Sequence, residues 1–189
     1  GIAFANELSI LCDGLGIDVN ELIHFANRHP RVNILQPGCG VGGHCIAVDP
    51  WFIVAKDPKN SNLIRTARQV NNYKNKWVIE KIKNVALNFQ IDKGRPARIA
   101  CMGLAFKPDI DDLRESPALV VAEALRDAQF DVVAVEPNIK AYKNLKLLAV
   151  AEGVKDSDIL VFLVKHREFS SLNTQGKHVL DFCGVTIPA

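Results

Sequence analysis

Arg98-Ile99-Ala100-Cys101-Met102-Gly103-Leu104 is an apolar run of strand length, and Phe130-Asp131-Val132-Val133-Ala134-Val135 is a second. Between them Ser116-Pro117 offers an N-cap followed by a first-turn proline, so a helix is expected from there through Leu125. That is a β-α-β unit. Two further runs, Asp158 to Val164 and His178 to Asp181, are separated by short helical or irregular pieces. Buried runs alternating with helices predict an α/β fold with a mainly parallel sheet covered on both faces. Ligands of such sheets bind beyond the carboxyl ends of the strands, which puts Lys107 and Arg114 at the mouth of the fold, just before a helix N-terminus that favours anions. A phosphate or diphosphate suits that place. The alternative is that Lys107 and Arg114 pair with Asp109, Asp111, Asp112 or Glu115 on a solvated loop.

Upstream the texture is helical, and Asp92-Lys93-Gly94-Arg95-Pro96 marks the change. Residues 1–92 read as a helical region and 93–189 as the α/β domain. The longest periodic stretch, 61–90, places Leu63, Ile64, Ala67, Val70, Trp77, Val78, Ile82, Val85, Ala86 and Phe89 at three-to-four spacing. It reads either as a spine joining two regions and offering a face to a second subunit, or as a core helix of one domain. Residues 2–15 read as a helix burying Ile2, Ala5, Leu8 or Ile10, and Leu11, stopped by Gly14 and Gly16. Asp18 with Glu21 makes a capping box for a helix from Val19 to about Arg28, and Asp49-Pro50 opens a short one through about Ala55. The first helical pattern starts at Gly1 without a methionine or a cap, so the stretch is expected to be a fragment.

Gln36-Pro37-Gly38-Cys39-Gly40-Val41-Gly42-Gly43-His44-Cys45 followed by Asp49 joins a flexible backbone to a thiol, an imidazole and a carboxylate. Gly38-x-Gly40-x-x-Gly43 matches the dinucleotide fingerprint in letters, but no buried strand precedes it and no helix opens directly after it. The match is read as accidental. The five cysteines, at 12, 39, 45, 101 and 183, lack a disulfide pattern, and Cys12, Cys101 and Cys183 lie in apolar segments as inert thiols. Cys39 and Cys45 with His44 and His29 fit no metal-ligand spacing, and no metal is expected.

Composition excludes several classes. The 189 residues are 48% hydrophobic and 23% charged, enough for a real core, and the net charge of +2 is spread without a polybasic run, which argues against nucleic acid or an anionic membrane. With no bilayer-length apolar run and no signal pattern, a cytoplasmic location is the default.

Gly40-Val41-Gly42-Gly43-His44-Cys45 with Asp49, then Gly103-Leu104-Ala105-Phe106-Lys107 and Asp112-Leu113-Arg114-Glu115-Ser116-Pro117, resemble the UDP-glucose/GDP-mannose dehydrogenase family. Arg28 to Gly38 and Cys45 to Val54 resemble its branch acting on UDP-N-acetyl-D-mannosamine. The resemblance implies a helical dimerisation region and a Rossmann-like UDP-binding domain, with the family's N-terminal NAD-binding domain absent from this chain. It implies NAD-dependent oxidation of the C6 alcohol of a UDP-sugar to a carboxylate, for surface polysaccharide synthesis, by a homodimer. Cys45 stands in the nucleophile's place and Asp49 in that of the assisting carboxylate. Arg31, Asn33, Gly42, Gly43, His44, Phe106 and Lys107 fall at substrate-binding positions, Arg31 reaching a neighbouring subunit's site, and Arg114 faces cofactor and nucleotide. His44 reads as a contact to the acetamido sugar ahead of a general base, with a structural role as an equal alternative. Two departures stand out: Cys39 replaces an expected proline, and the stretch from Val135 to Asp158 is short by a strand or helix. The alternatives are a non-catalytic nucleotide-binding module, with Cys45 a buried thiol, or a dehydrogenase for UDP-N-acetylglucosamine or UDP-glucose.

Overall fold

A computed structural model describes residues 1–186. Four strands, β1 (Arg98–Met102), β2 (Asp131–Val135), β3 (Ile159–Phe162) and β4 (His178–Asp181), form an all-parallel sheet in the order β2-β1-β3-β4. The pleat sends Ile99 and Cys101 to one face and Ala100 and Met102 to the other, and all four are fully buried because both faces are covered. One face packs on the second half of α4 (Asn62–Lys93) and on α5 (Pro117–Asp127); the other packs on α6 (Val150–Asp156) and Phe169 of a short 3-10 turn. Ser116 caps α5 as its sequence predicts, accepting from the Leu119 N–H.

Strand ends are shorter than the apolar runs suggest. β1 stops at Met102 because Gly103 turns with φ 93, and β3 spans Ile159–Phe162 rather than 158–164. The shortened stretch after β2 keeps a trace of a fifth strand: Ala134 N–H donates to Lys146 O at 2.9 Å and Leu148 N–H to Ala134 O at 2.8 Å, a single parallel bridge.

Ahead of the sheet lie α1 (Ile2–Leu15), α2 (Val19–Ala26) and α3 (Asp49–Lys56). Gly16 ends α1 in the left-handed conformation, and the Asp18 carboxylate caps α2 by accepting from Asn20 and Glu21 N–H. α3 is capped by Val48, with Asp49 its first residue, one place on from the expectation. The spine α4 runs 32 residues, about 48 Å at 1.5 Å per residue, to a left-handed Gly94.

The expected burial of α1 and of the first half of α4 holds for Ala5 but fails for Leu11 and Leu63, and polar residues take the innermost places. α1 turns Ala3, Ala5, Asn6, Ser9 and Cys12 inward and leaves Leu11 58% exposed; α4 buries Arg68, Asn71 and Lys74 while Leu63 is 83% exposed. The cause is a polar seam. Asn6 Nδ2 donates to Asn71 Oδ1 at 2.9 Å, Lys74 Nζ donates to Ser9 Oγ at 2.7 Å, and Lys81 pairs with Asp13. Once one helix buries polar groups, the other must present partners, and its apolar residues are turned outward. Farther along α4, Val78, Ile82, Ala86 and Phe89 meet the sheet as predicted.

Lys74 is a buried ammonium without a carboxylate partner among the described residues, lying 4.0 Å over the Trp77 ring. Burial pushes it down from its ordinary 10.5 to about 8. Below about 8 the charge is buried at full cost; between about 8 and 10.5 the unfolded chain holds the extra proton, so stability rises with pH. Lys74→Met is therefore expected to be more stable than the wild type at pH 7. The wild type should gain on it between pH 8 and 10.5, by on the order of 3 kcal/mol in denaturant titrations. Parallel pH profiles for the two proteins would refute the assignment.

Candidate active site

The chain passes from β1 to β2 on one side and then crosses from β2 to β3 on the other side of β1, so a crevice opens between the carboxyl ends of β1 and β3. A cleft of about 500 Å³ lies there, lined by Ala105, Phe106, Lys107 and Pro108 after β1, Leu163, Val164 and Lys165 after β3, and Gln36 to Gly42 with Ile46 of the glycine loop. Lys107 and Lys165 face it from the two sides, and neither pairs with a carboxylate among the described residues. Of the two cations weighed in the sequence, Lys107 is thus free for an anion. Arg114 takes the other alternative: it grips Asp112 with Nε at 2.9 Å and Nη2 at 2.6 Å, and its hydrogen bonds pull the Asp112 carboxyl down to about 2.

The glycine loop is docked onto this rim by its lack of side chains. A Cβ on Gly42 would stand 2.7 Å from Pro117 Cδ and 2.8 Å from Phe106 Cβ, and one on Gly43, at φ 87, would meet the Phe106 ring at 2.9 Å. Gly43 N–H donates to Arg114 O at 3.2 Å. The close approach these glycines permit is to the protein's own sheet half, although Gly42 also lines the cleft. The N-terminus of α5, expected to meet a phosphate, borders the cleft through Pro117 and Ala118 but is short of donors: Pro117 has no N–H, and Leu119 N–H is taken by Ser116.

Docking carries Cys45 to the lip of the cleft. Its neighbour Ile46 lines the cleft, and Cys45 is the one exposed cysteine among the five. Its Sγ lies 3.8 Å from His44 Nδ1. The Cys45 carbonyl accepts from Asp49 N–H at 2.8 Å, which sets Asp49 one turn on at the start of α3. No hydrogen bond joins the two side chains. Arg31 and Asn33 lie on an exposed segment outside the cleft, pinned by Asn27, whose Oδ1 accepts from Ile34 N–H at 2.7 Å and whose Nδ2 donates to Ile34 O at 2.9 Å.

Cys39 is no second exposed thiol beside Cys45. It is buried, donates to Leu163 O at 3.7 Å, and burial raises its thiol to about 12; Cys101 is raised likewise. Burial also raises Cys183, which is only half-buried as a residue.

Sequence reasoning passed over Lys165, which the carboxyl-end rule could have flagged directly after β3. It also missed Glu136 and His166, buried at the ends of two connections. Asp109, His166 and Glu168 place ligand atoms within 4.8 Å of one another, but His166 Nδ1 already accepts from Asp109 N–H at 2.9 Å and Nε2 faces Glu136 at 3.0 Å, so the ring has no lone pair for a cation. Among the described residues, no helix is long and apolar enough to cross a membrane.

Residues 1–73 match the central domain of the UDP-glucose/GDP-mannose dehydrogenase family, and residues 100–187 its UDP-binding domain. The chain is 53% identical over 190 residues to a UDP-N-acetyl-D-mannosamine dehydrogenase of Campylobacter jejuni, covering 96% of this chain and 45% of that one. It is 50% identical over 192 residues to an NDP-N-acetyl-D-galactosaminuronic acid dehydrogenase of Ralstonia nicotianae, covering 97% and 44%. The solved UDP-N-acetyl-mannosamine dehydrogenase from S. aureus superposes with a TM-score of 0.81 at 39% identity, over 100% of this chain and 45% of that chain. The chain spans about half the length of the relatives it matches. With both domain matches in order along the chain, and the cleft formed where they meet, the chain belongs to the UDP-glucose/GDP-mannose dehydrogenase family.

Proposed function

We propose that this chain supplies the nucleophile and the nucleotide cleft of an NAD-dependent UDP-sugar 6-dehydrogenase, with UDP-N-acetyl-D-mannosamine as the substrate. The observation that carries the reading is an exposed thiol, Cys45, at the lip of a cleft whose free cations, Lys107 and Lys165, suit a diphosphate. The choice of sugar follows the relatives that are UDP-N-acetyl-D-mannosamine dehydrogenases.

NAD fits no dinucleotide turn among the described residues. The Gly38-x-Gly40-x-x-Gly43 loop has neither strand before it nor helix directly after it, and the turn after β1 is filled by the chain's own Glu136. On this reading NAD is held mainly by a domain outside this stretch, and it supplies the two oxidations of C6. What this chain contributes is covalent capture and hydrolysis. The Cys45 thiolate bonds to the C6 aldehyde carbon, whose carbonyl electrons move to oxygen. At the acid level of oxidation water attacks the resulting thioester, the C–S bond breaks, and the thiolate leaves as the carboxylate forms. Asp49, one turn from Cys45, takes the water's proton.

The functional unit on this reading is a homodimer, with Arg31 and Asn33 available to a neighbouring subunit's site. The outward apolar residues support it: Phe4, Leu11, Leu15 and Tyr73 are exposed, and a groove of about 390 Å³ between α1 and α4 is lined by Ile10, Leu11, Val70 and Tyr73.

Three experiments test these assignments. Alkylation with iodoacetamide in native buffer should modify one thiol fast, and Cys45→Ser should abolish that phase; a slow Cys45 would leave only the non-catalytic module. Calorimetric titration should show UDP binding that Lys107→Ala weakens about tenfold, the loss of one charge-assisted hydrogen bond. Unchanged affinity would remove Lys107 from the site. Light scattering should report a dimer that Leu11→Asp converts to monomer, and a wild-type monomer would remove the subunit reading.

A further inference from the structure

The segment from Leu104 to Asp109 carries Phe106 and Lys107 on one wall of the cleft, and both its ends are tied to one buried pair. At the near end, Leu104 and Ala105 N–H donate to Glu136 Oε2 at 2.7 and 3.0 Å. At the far end, Asp109 N–H donates to His166 Nδ1 at 2.9 Å. The two ends are joined by His166 Nε2 facing the same Glu136 Oε2 at 3.0 Å, with both side chains wholly out of solvent.

The protons can be placed. Nδ1 receives Asp109 N–H and lies 3.2 Å from Asn138 Nδ2, so it is the acceptor and Nε2 carries the hydrogen given to Glu136. Glu136 Oε1 accepts from Asn138 N–H at 3.0 Å. Burial pushes the Glu136 carboxyl up, but the bond from His166 and those from Leu104 and Asn138 N–H outweigh it and hold it below the usual carboxylate range. Asp109 itself sits at φ 59, a conformation kept by its N–H bond to His166 and by its carboxylate, which accepts from Arg167 N–H at 3.0 Å and meets Arg167 Nε at 3.3 Å.

In a dinucleotide-binding β-α-β unit, the N–H groups of the turn after β1 face phosphate and the acid ending β2 faces a ribose. Here the acid at the end of β2 turns inward and occupies those N–H groups itself. We propose that Glu136 and His166 are positioning residues for nucleotide binding: an internal carboxylate closes the β1 turn to phosphate, and the pair fixes both ends of segment 104–109 so that Phe106 and Lys107 present the cleft wall to the UDP diphosphate. This rests on the UDP reading above, and its test separates the two.

The test combines amide hydrogen exchange at residues 104–109 with UDP calorimetry, on the full chain and on His166→Ala, His166→Asn and His166→Gln. The Asn side-chain oxygen replaces Nδ1 as acceptor; the Gln side-chain nitrogen replaces Nε2 as donor. In His166→Ala, exchange at Leu104, Ala105 and Asp109 should speed at least tenfold and UDP affinity should fall about tenfold, the cost of one displaced charge-assisted contact. His166→Asn should restore protection at Asp109, and His166→Gln at Leu104 and Ala105, each recovering part of the affinity. If His166→Ala does not fold, the Asn and Gln variants carry the test, because each should lose protection at one end and keep it at the other. Unchanged exchange in the variants overturns the clamp. Faster exchange with full UDP affinity overturns its role in binding. A wild type that binds no UDP, yet shows the end-specific exchange pattern, overturns the UDP reading and the role in binding while leaving the clamp.

Discussion

Gly42 lies where a side chain would collide with Phe106 and Pro117, and that contact between bare backbone and the rim of the sheet fixes the rest of the site. Because the loop can lie flat on the segment after β1, Cys45 is carried to the cleft and α3 starts one turn later with Asp49. The same loop packs Gly40 against Pro117, so the start of α5 forms part of the cleft wall beside it. Any side chain at Gly42 would have to lift the loop, and Cys45 with it. The thiol's position is therefore a packing property before it is a chemical one.

The helical half obeys a second constraint, the satisfaction of buried polar groups. Asn6 is both partner of Asn71 and acceptor for Gly38 N–H at 2.9 Å, so the seam between α1 and α4 also anchors the start of the glycine loop. Asn75 adds a second anchor, donating to Cys39 O at 3.3 Å and Pro117 O at 2.9 Å. Polar residues of α1 and α4 thus hold the loop at two points. The apolar residues displaced by this arrangement face outward, where they suit a second subunit.

At the carboxyl end of the sheet, charge is divided between structure and ligand. Glu136 with His166 and Arg114 with Asp112 satisfy each other inside the protein, while Lys107 and Lys165 stay free on opposite sides of the crevice. An anion in the cleft meets cations whose charge has not already been neutralised, which is the requirement for binding rather than for folding.

The sequence by itself determined the parallel sheet, the two helical stops at Gly16 and Gly94, and the caps at Asp18 and Ser116. Each is a local rule: apolar runs, capping chemistry and left-handed glycines act over a few residues and survive any tertiary setting. It also carried the family motifs that mark Lys107 and Arg114. What only the tertiary structure decided was which face of α1 and α4 is inside, which of Lys107 and Arg114 is free, and what Glu136 and His166 do. Those depend on partners far along the chain: Asn6 with Asn71, Lys74 with Ser9, and Glu136 with Leu104, Ala105 and His166. A buried polar group is stable only beside its partner, and the spacing of residues along one segment does not say which distant residue that partner will be.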